Sequence, residues 1–286
     1  MAAGAVRELE RGKVEGETFG ESTYILYEAD SPTEEDGAPF LLVYLHGMDN
    51  SYLTEPDMTS FSQRFGRRLV CLVPRNPGDT TDGRRFIWGL GFTKAQNRNN
   101  CGFIFGEWCQ EYLDALCGLV RTTAENVGAE RVVAVGYSAG GFGVLQLGSH
   151  APDLFDAVVL GAGHGHGTLQ GESTGFGGPQ PESGRIFQSF LAEHAPRLAA
   201  VPALVAIHAM RDTVSSYADM EAIVQAVQAQ GGRCELAQVP DDKANADAGG
   251  KRKKSKSGHG YYQFSMLGDS AEHILYGRLR RLWGDG

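Results

Sequence analysis

Residues 132–140 read Val-Val-Ala-Val-Gly-Tyr-Ser-Ala-Gly, an apolar run that ends in the pentapeptide Gly136-Tyr137-Ser138-Ala139-Gly140. A helix-like stretch follows through Leu147, so the pattern predicts a strand, a sharp turn and a helix. A turn of this kind leaves no room for side chains two residues before and two residues after its centre, which explains both flanking glycines. We therefore predict that Ser138 holds its hydroxyl on a strained turn above the sheet edge, as a candidate nucleophile.

A second strand-and-turn pattern lies upstream of this one. Residues 40–45 read Phe-Leu-Leu-Val-Tyr-Leu and lead directly into His46-Gly47-Met48. A continuous apolar run of this length is typical of a buried parallel strand. A tetrahedral acyl intermediate carries negative charge on oxygen, and backbone N–H groups are suitable donors for it. We predict that these donors are the amides of Met48 and Ala139.

Two candidate partners for the serine follow downstream. Residues 203–208 predict another buried strand, and a short turn after it leads to Asp212, the candidate acid. Residues 233–239 alternate as a last strand and are followed by His259, the candidate base, before a predicted terminal helix over residues 261–283. The chain order is therefore serine, acid, histidine, which is the order found in α/β-hydrolases.

The sequence resembles α/β-hydrolases over roughly residues 23–283, and most closely the compact serine esterases of the dienelactone-hydrolase, polyhydroxybutyrate-depolymerase-like and acyl-thioesterase-like kinds. The resemblance implies an α/β fold with a mostly parallel central sheet flanked by helices and a small Gly-rich cap or lid insertion. It also implies cleavage of a carboxylic ester or thioester through an acyl-enzyme, with no metal or organic cofactor. The motifs that match are Leu45-His46-Gly47, Gly136-Tyr137-Ser138-Ala139-Gly140-Gly141, Asp212-Thr213-Val214 and Gly258-His259-Gly260.

The resemblance implies a triad of Ser138, Asp212 and His259, with one departure at the acid. Related chains often place Val-Pro after the acid, whereas Val214 is followed here by two serines. Residues 241 and 242 are both Asp and follow the last predicted strand, so they are the alternative acids.

Three other functions remain open. The same triad cleaves amides in peptidases of the prolyl-oligopeptidase type, although we see no propeller domain in this sequence. An alcohol could replace water as the acyl acceptor. The chain could also be a non-catalytic hydrolase-fold binding protein, against which the intact serine, histidine, acid and oxyanion loop argue.

The predicted substrate-binding surface consists of residues in the loops that follow the strands. Residues 74–106 are rich in Gly, Asn, Arg and aromatic side chains, and a loop of that length is usually functional or lid-like. Its aromatic side chains, together with Trp108, either form an apolar acyl-binding wall or pin the loop to the body. The residues assigned to substrate binding are His46, Gly47, Tyr137 and Trp88.

We predict a single domain over residues 1–286. Within it, residues 1–20 form a loosely held lead-in or an edge strand. Residues 161–197 form the cap or lid, which combines a Gly-rich insertion with the helix-like residues 185–197. Residues 241–258 form a mobile basic loop.

Composition limits the function classes. The chain has 286 residues, 42% of them hydrophobic, and a formal net charge of −9, which disfavours nucleic acids and anionic membranes as partners. It shows neither a signal-peptide pattern nor the ~20 apolar residues of a membrane span. Its five cysteines are scattered and lack metal or redox spacing. We therefore expect a cytoplasmic enzyme whose partner is a small-molecule or acylated substrate.

Three histidines outside the predicted triad invite other interpretations. His164 and His166 are two residues apart and could share a metal ion. No carboxylate or cysteine lies near them at a sequence spacing typical of metal ligands, so we predict no metal site. His208 ends a predicted strand and is interpreted as structural.

Residues 251–256 read Lys-Arg-Lys-Lys-Ser-Lys, and these five basic side chains end three residues before His259. We expect them on a solvated loop tip, where salt screens their field beyond about 8 Å. Replacing all five with Ser should leave kcat/KM for neutral p-nitrophenyl esters within about threefold, or ~0.65 kcal/mol of barrier. An anionic ester is the control. The positive charges should attract it to the site, so the substitution should slow its reaction at low salt, and this effect should fade as the salt concentration rises. Loss of activity toward neutral esters at every salt concentration would instead make the run a structural support for the base.

Overall fold

The structure is a computed structural model. It describes residues 6–17, 19–30, 38–47, 58–59, 61–62, 68–75, 108, 110–165, 183–239, 258–259, 278–279 and 281–282. Several predicted features lie outside these residues. They are Met48, Trp88, His166, Asp241, Asp242, the basic run 251–256, and most of the loop 74–106 and of the Gly-rich insertion.

The described residues form one eight-stranded sheet in the order β1-β2-β4-β3-β5-β6-β7-β8. The pairs β1–β2 and β2–β4 are antiparallel, and the other pairs are parallel. This is the mostly parallel sheet that the sequence predicted. The strands are β1 (Val6–Gly16), β2 (Gly20–Ala29), β3 (Phe40–Leu45), β4 (Leu69–Pro74), β5 (Arg131–Tyr137), β6 (Ala157–Gly161), β7 (Leu204–Ala209) and β8 (Cys234–Val239).

Helices cover both faces of the sheet. Four of them pack on one face, and the helical residues 58–59, 61–62, 278–279 and 281–282 contribute buried side chains to the other face. The four are α1 (Gln110–Val127), α2 (Ala139–His150), α3 (Ser183–Leu198) and α4 (Tyr217–Ala229). Burial on both faces explains why the central strands read as continuous apolar runs in the sequence.

Alternate residues of β3 illustrate how the two cores are divided. Leu41, Val43 and Leu45 point into the core under α1–α4, and the residues between them point into the other core. Met58, Phe61 and Leu279 complete that second core. Because successive side chains of a strand point to opposite faces, each strand contributes to both cores. The sheet therefore lies between two helix layers, as in a three-layer α/β domain.

The N-terminal segment takes the second of the two forms that the sequence left open for residues 1–20. Residues 6–16 form β1, the edge strand of the sheet, which pairs antiparallel with β2. Charged side chains dominate β1, and Arg7 forms an ion pair with the buried Glu28 of β2. Such charges on an edge strand oppose pairing with another chain.

Helix α3 differs from its predicted place in the cap at residues 161–197. It connects the parallel strands β6 and β7 on the face that also carries α2 and α4. Phe187 and Phe190 are buried in that core, and Phe190 contacts Phe142 of α2 at a ring-centroid distance of 5.9 Å. An apolar helix face of this kind makes α3 a crossover helix of the body. The cap therefore remains a prediction only for residues 166–182, outside the described part of the chain.

The described cysteines are free and buried; they are Cys71, Cys117 and Cys234. Burial raises the pKa of the Cys117 thiol to about 12, so this cysteine stays protonated and unreactive at neutral pH. Within the described ranges, none of the helices has the length and hydropathy needed to cross a membrane.

The strand order reverses direction at β3, between its neighbours β4 and β5. The chain moves from β3 to β4 on one side, and then returns to place β5 on the other side of β3. A reversal of this kind leaves an opening between the two outgoing loops, where α/β proteins bind their ligands. The loops that begin there are His46-Gly47 after β3 and Ser138 after β5.

The contact between α2 and β3 predicts a large cost for a side chain at Gly140. A Cβ there would lie 2.0 Å from the carbonyl oxygen of Leu45, which is rigid backbone. Gly140→Ala should therefore lower the free energy of unfolding by about 3 kcal/mol, at the upper end for overpacking, in urea titrations followed by circular dichroism.

Gly118→Ala is the matched control, because Gly118 lies inside α1 and a Cβ added there would meet no neighbouring atom within 4 Å. This variant should raise the free energy of unfolding by about 0.5–1 kcal/mol, the usual gain for alanine in a helix. Equal effects of the two substitutions would contradict the close packing of α2 on β3.

Candidate active site

Ser138 occupies the strained turn that the sequence predicted. Its φ is 53° and its ψ is −116°, a left-handed conformation that a residue with a Cβ rarely adopts. Strain of this size costs about 1–3 kcal/mol and persists only where the surroundings enforce it. Here Gly136 and Gly140 approach so closely that a Cβ on Gly136 would lie 2.1 Å from the carbonyl oxygen of Gly140.

Backbone hydrogen bonds hold both sides of this turn. The N–H of Ser138 donates to the carbonyl of Gly161 at the end of β6, over 2.8 Å. The carbonyl of Ser138 accepts the N–H of Phe142 at 3.1 Å and so opens α2. The hydroxyl makes no capping hydrogen bond to the helix. It therefore points away from α2 and is available to another partner.

That partner is His259. Its Nε2 lies 3.0 Å from Ser138 Oγ, and its Nδ1 lies 2.8 Å from Asp212 Oδ2. A carboxylate only accepts, so Nδ1 carries a proton and donates it to Asp212, which leaves Nε2 of the neutral ring to accept from the serine hydroxyl. The structure thus brings together the three side chains that the sequence proposed as a triad.

Gly258 fits the loop that delivers His259. Its φ is +69°, and a Cβ at this position would lie 2.8 Å from the carbonyl oxygen of Arg211. Glycine therefore satisfies both the left-handed backbone and the close approach to the turn that bears Asp212. The base and acid loops pack directly against each other at this point.

Asp212 is buried and has partners for both carboxylate oxygens. Oδ1 accepts the backbone N–H groups of Val214 and Ser215 at 2.8 and 2.9 Å, and Oδ2 faces His259. Burial raises the pKa of Asp212, but the hydrogen bond from His259, the electrostatic interactions with His259 and His208, and the Ser215 N–H together lower it more. The net pKa lies below that of an ordinary Asp, so the side chain is a carboxylate at neutral pH.

The two serines after Val214 explain the departure from the Val-Pro pattern. A proline at position 215 would have no N–H, whereas Ser215 donates its own to Asp212. Its hydroxyl also donates to the carbonyl of Ala162 after β6, over 2.9 Å. Ser216 caps α4 by accepting the N–H of Asp219. Serine in place of proline therefore gives the Asp212 carboxylate an additional hydrogen-bond donor. It also connects the loop that bears Asp212 to the end of the neighbouring strand β6.

His208 is fully buried beside the acid, in agreement with its interpretation as structural. Its Nε2 lies 3.1 Å from the carbonyl oxygen of Ser215, to which it donates, and 3.6 Å from Asp212 Oδ2. Burial lowers the pKa of His208 and outweighs the opposite effects of Asp212 and Ser215. At neutral pH the ring is therefore uncharged and stiffens the acid loop without neutralising Asp212.

The candidate oxyanion donors come from two turns. Ala139 is the first residue of α2, so its N–H lies at the helix N-terminus, where backbone donors lack a partner within the helix. Gly47 follows β3, and a Cβ on it would lie 3.0 Å from the ring of Tyr137. His46 is fully buried and donates from Nδ1 to the carbonyl of Gly47 at 2.6 Å. The third residue of this turn, Met48, is outside the described residues.

The contacts of Tyr137 and Trp108 show what each side chain does, and only the contact of Tyr137 was not foreseen from the sequence. Tyr137 is buried, and its hydroxyl donates to the backbone carbonyl of His259. Trp108 is buried between α1 and α2, and its ring contacts Tyr112 at a centroid distance of 5.5 Å. Trp108 is therefore part of the domain core. This agrees with the second alternative of the sequence analysis, in which such aromatic side chains attach the loop to the domain.

His164 lies in the core beside α2. It is buried and stacks on Phe142 with a centroid distance of 5.3 Å and an interplanar angle of 14°. Among the residues that the structure describes, no three His, Cys, Asp or Glu side chains are grouped closely enough to hold a metal ion.

A family model matches more than half of the chain. The model is that of the prolyl oligopeptidase family, and it covers residues 109–262, a range that includes Ser138, Asp212 and His259. This family is the one that the sequence analysis kept as the peptidase alternative. No curated protein matches the chain.

Solved structures resemble the whole described fold. A thermostable esterase has a TM-score of 0.56 and 18% identity, over 95% of this chain and 63% of its own. Prolyl oligopeptidase B from Galerina marginata has a TM-score of 0.58 and 14% identity, over 98% of this chain and 37% of its own. Est1E from Butyrivibrio proteoclasticus, solved with ferulic acid bound, has a TM-score of 0.51 and 10% identity, over 90% and 96% of the two chains.

These identities are low enough that the structural likeness concerns the fold alone, and it confirms the α/β-hydrolase fold. The chain spans less than two thirds of the thermostable esterase and of prolyl oligopeptidase B. The strand order and the turn at Ser138 agree with the α/β-hydrolase fold, and the family match shows that the chain belongs to the prolyl oligopeptidase family.

Proposed function

We propose that the protein hydrolyses carboxylic esters or thioesters through Ser138, His259 and Asp212. The observation that carries this proposal is the continuous hydrogen-bonded path from Ser138 Oγ to His259 at 3.0 Å and from His259 to Asp212 at 2.8 Å. Distances of this size are within reach for proton transfer from a nucleophile to a base that a third group orients.

In the first half-reaction, Oγ of Ser138 attacks the substrate carbonyl carbon while Nε2 of His259 takes the hydroxyl proton. The carbonyl oxygen becomes an oxyanion that accepts the N–H of Ala139, and Met48 is the proposed second donor. His259 then gives its proton to the leaving alcohol or thiol, and the acyl group remains on the serine.

The second half-reaction returns the enzyme to its first state. His259 takes a proton from water as the water attacks the acyl carbon, and then returns it to Oγ as the ester bond to the serine breaks. Throughout, Asp212 stabilises the imidazolium, and its two backbone donors together with a pKa below the ordinary value keep it ionised.

The substrate surface lies at the carboxyl ends of β3 and β5. The strand order reverses there, Gly47 contacts the ring of Tyr137, and Ser138 follows Tyr137 in the chain. We keep His46 and Gly47 as residues that shape this surface, and Trp88 as a candidate substrate contact. No metal or organic cofactor has a step in this mechanism.

A peptide bond is the second candidate substrate, because the family match is to prolyl oligopeptidases. The same triad can cleave esters and peptide bonds. The amine leaving group of an amide is poorer than the alcohol of an ester, so it must be protonated before it leaves. Activated esters are therefore expected to react in either case. A panel of p-nitrophenyl esters of increasing chain length, beside matched acyl-peptide p-nitroanilides, separates the two: turnover of anilides comparable to that of esters would favour the peptidase.

We predict that Ser138 is the single serine labelled by a fluorophosphonate, because its hydroxyl lies 3.0 Å from the proposed base His259 and next to the proposed oxyanion donor Ala139. Ser138→Ala should abolish both labelling and ester turnover while the circular dichroism spectrum stays that of the native chain. Ser149→Ala is the matched control. Ser149 is a buried serine of α2, the helix that begins after Ser138, and its Oγ lies 2.8 Å from Nδ1 of His194. Labelling of folded Ser138→Ala protein would refute the assignment.

For the acid, we expect Asp212→Asn to lower kcat by about three to four orders of magnitude, because an amide presents the wrong hydrogen-bonding partner to Nδ1 and favours the wrong tautomer. The comparison variants are Asp241→Asn and Asp242→Asn, which should change kcat little. Stopped-assay kinetics on a p-nitrophenyl ester give all three values. A large loss for Asp241→Asn or Asp242→Asn, with Asp212→Asn nearly intact, would move the catalytic acid to the exit of β8.

A further inference from the structure

The residue before the nucleophile contacts the loop that carries the base. Tyr137 ends β5, and its hydroxyl donates to the backbone carbonyl of His259. The two rings also face each other, with centroids 5.5 Å apart and planes inclined by 40°. Tyr137 therefore holds the main chain of His259, whereas Ser138 and Asp212 contact its imidazole.

The same ring reaches the oxyanion turn. A Cβ on Gly47 would lie 3.0 Å from Tyr137 Cδ1, so the ring packs against the backbone after β3. One buried side chain thus contacts the turn after β3 and the loop bearing the base, and its own backbone continues into Ser138. These are the three segments that must keep a fixed spacing for the proposed chemistry.

The backbone around His259 gives a reason why such an anchor is needed. Glycine precedes and follows this residue in the sequence, and Gly258 is in the left-handed region. Glycine restricts the chain less than any other residue, so local sequence does little to fix the direction of the histidine side chain. Misplacement of a catalytic group by about 1 Å can cost about a hundredfold in rate.

We propose that Tyr137 is a positioning residue for the base: its hydroxyl fixes the carbonyl of His259 and thereby holds the imidazole between Ser138 and Asp212. This inference rests on the proposed function, and it replaces the expectation that Tyr137 binds substrate. The hydroxyl is engaged with the His259 carbonyl and the ring is buried, so the side chain acts on the reaction through His259.

The first test is Tyr137→Phe, which removes the hydroxyl and keeps the ring. We expect kcat for a neutral p-nitrophenyl ester to fall about tenfold or more, with KM within about twofold. Because His259 serves both acylation and deacylation, both steps slow together and KM, which depends on their ratio, is preserved. A substrate-binding role would instead raise KM at nearly constant kcat and would overturn the proposal.

Tyr112→Phe is the matched control. Tyr112 is also buried, and its hydroxyl lies 3.2 Å from Ser22 Oγ of β2. Both variants lose one buried hydroxyl, so their melting temperatures should fall by similar amounts. The kinetic defect should appear only in Tyr137→Phe; equal kinetic defects in the two variants would indicate a general loss of stability and would contradict positioning.

A double variant separates action through the base from action on the substrate. In a His259→Ala background, adding Tyr137→Phe should cause no further loss of the residual hydrolysis of an activated ester. Two residues that act as a unit show this non-additivity. Persistence of the full tenfold loss without His259 would mean that Tyr137 acts elsewhere.

A final measurement does not depend on activity. The imidazole proton resonances of His259, identified by their disappearance in His259→Ala, should shift or broaden in Tyr137→Phe and stay unchanged in Tyr112→Phe. Unchanged resonances in Tyr137→Phe would overturn the positioning role whatever the substrate. By contrast, a wild-type protein that neither reacts with fluorophosphonate nor cleaves esters would overturn the proposed function, and the resonances would still test the anchor.

Discussion

The close approach of α2 to β3 is the constraint on which the site depends. Gly140 leaves so little space beside the Leu45 carbonyl that the helix can begin only directly above the strand end. This contact forces Ser138 into its left-handed conformation, and it sets the N-terminus of α2 beside the turn after β3. The nucleophile and the proposed oxyanion donor Ala139 are therefore consequences of one packing contact.

The sequence predicted the features that depend on local chemistry. The glycines around Ser138, the apolar runs of β3 and β7 and the spacing to Asp212 each have a steric or hydrophobic cause that is visible in a few neighbouring residues. The exceptions depend on distant contacts. The sequence pattern places α3 in the cap because nothing near it in the chain shows that it is buried against α2, and the contact of Tyr137 with His259 joins residues 122 positions apart.

Burial of the acid has a cost that the surrounding loop offsets. An ionised carboxylate in a protein interior requires hydrogen bonds to replace its lost hydration. Val214 and Ser215 supply two backbone donors, and His259 supplies the third. His208 is kept neutral by its own burial, so it supports the Ser215 carbonyl without competing with His259 for the negative charge.

Ser215 makes the acid loop part of the scaffold. Its hydroxyl bonds the carbonyl of Ala162, a residue with a φ of 48° that follows β6, and β6 in turn accepts the N–H of Ser138 through Gly161. The acid and the nucleophile are thus joined through the end of one strand as well as through His259. The histidine bridges two elements that are already fixed, so its own loop is the part of the triad whose position depends most on added anchors. A reaction that needs His259 to accept and return a proton twice per turnover places its strictest geometric demand on that loop.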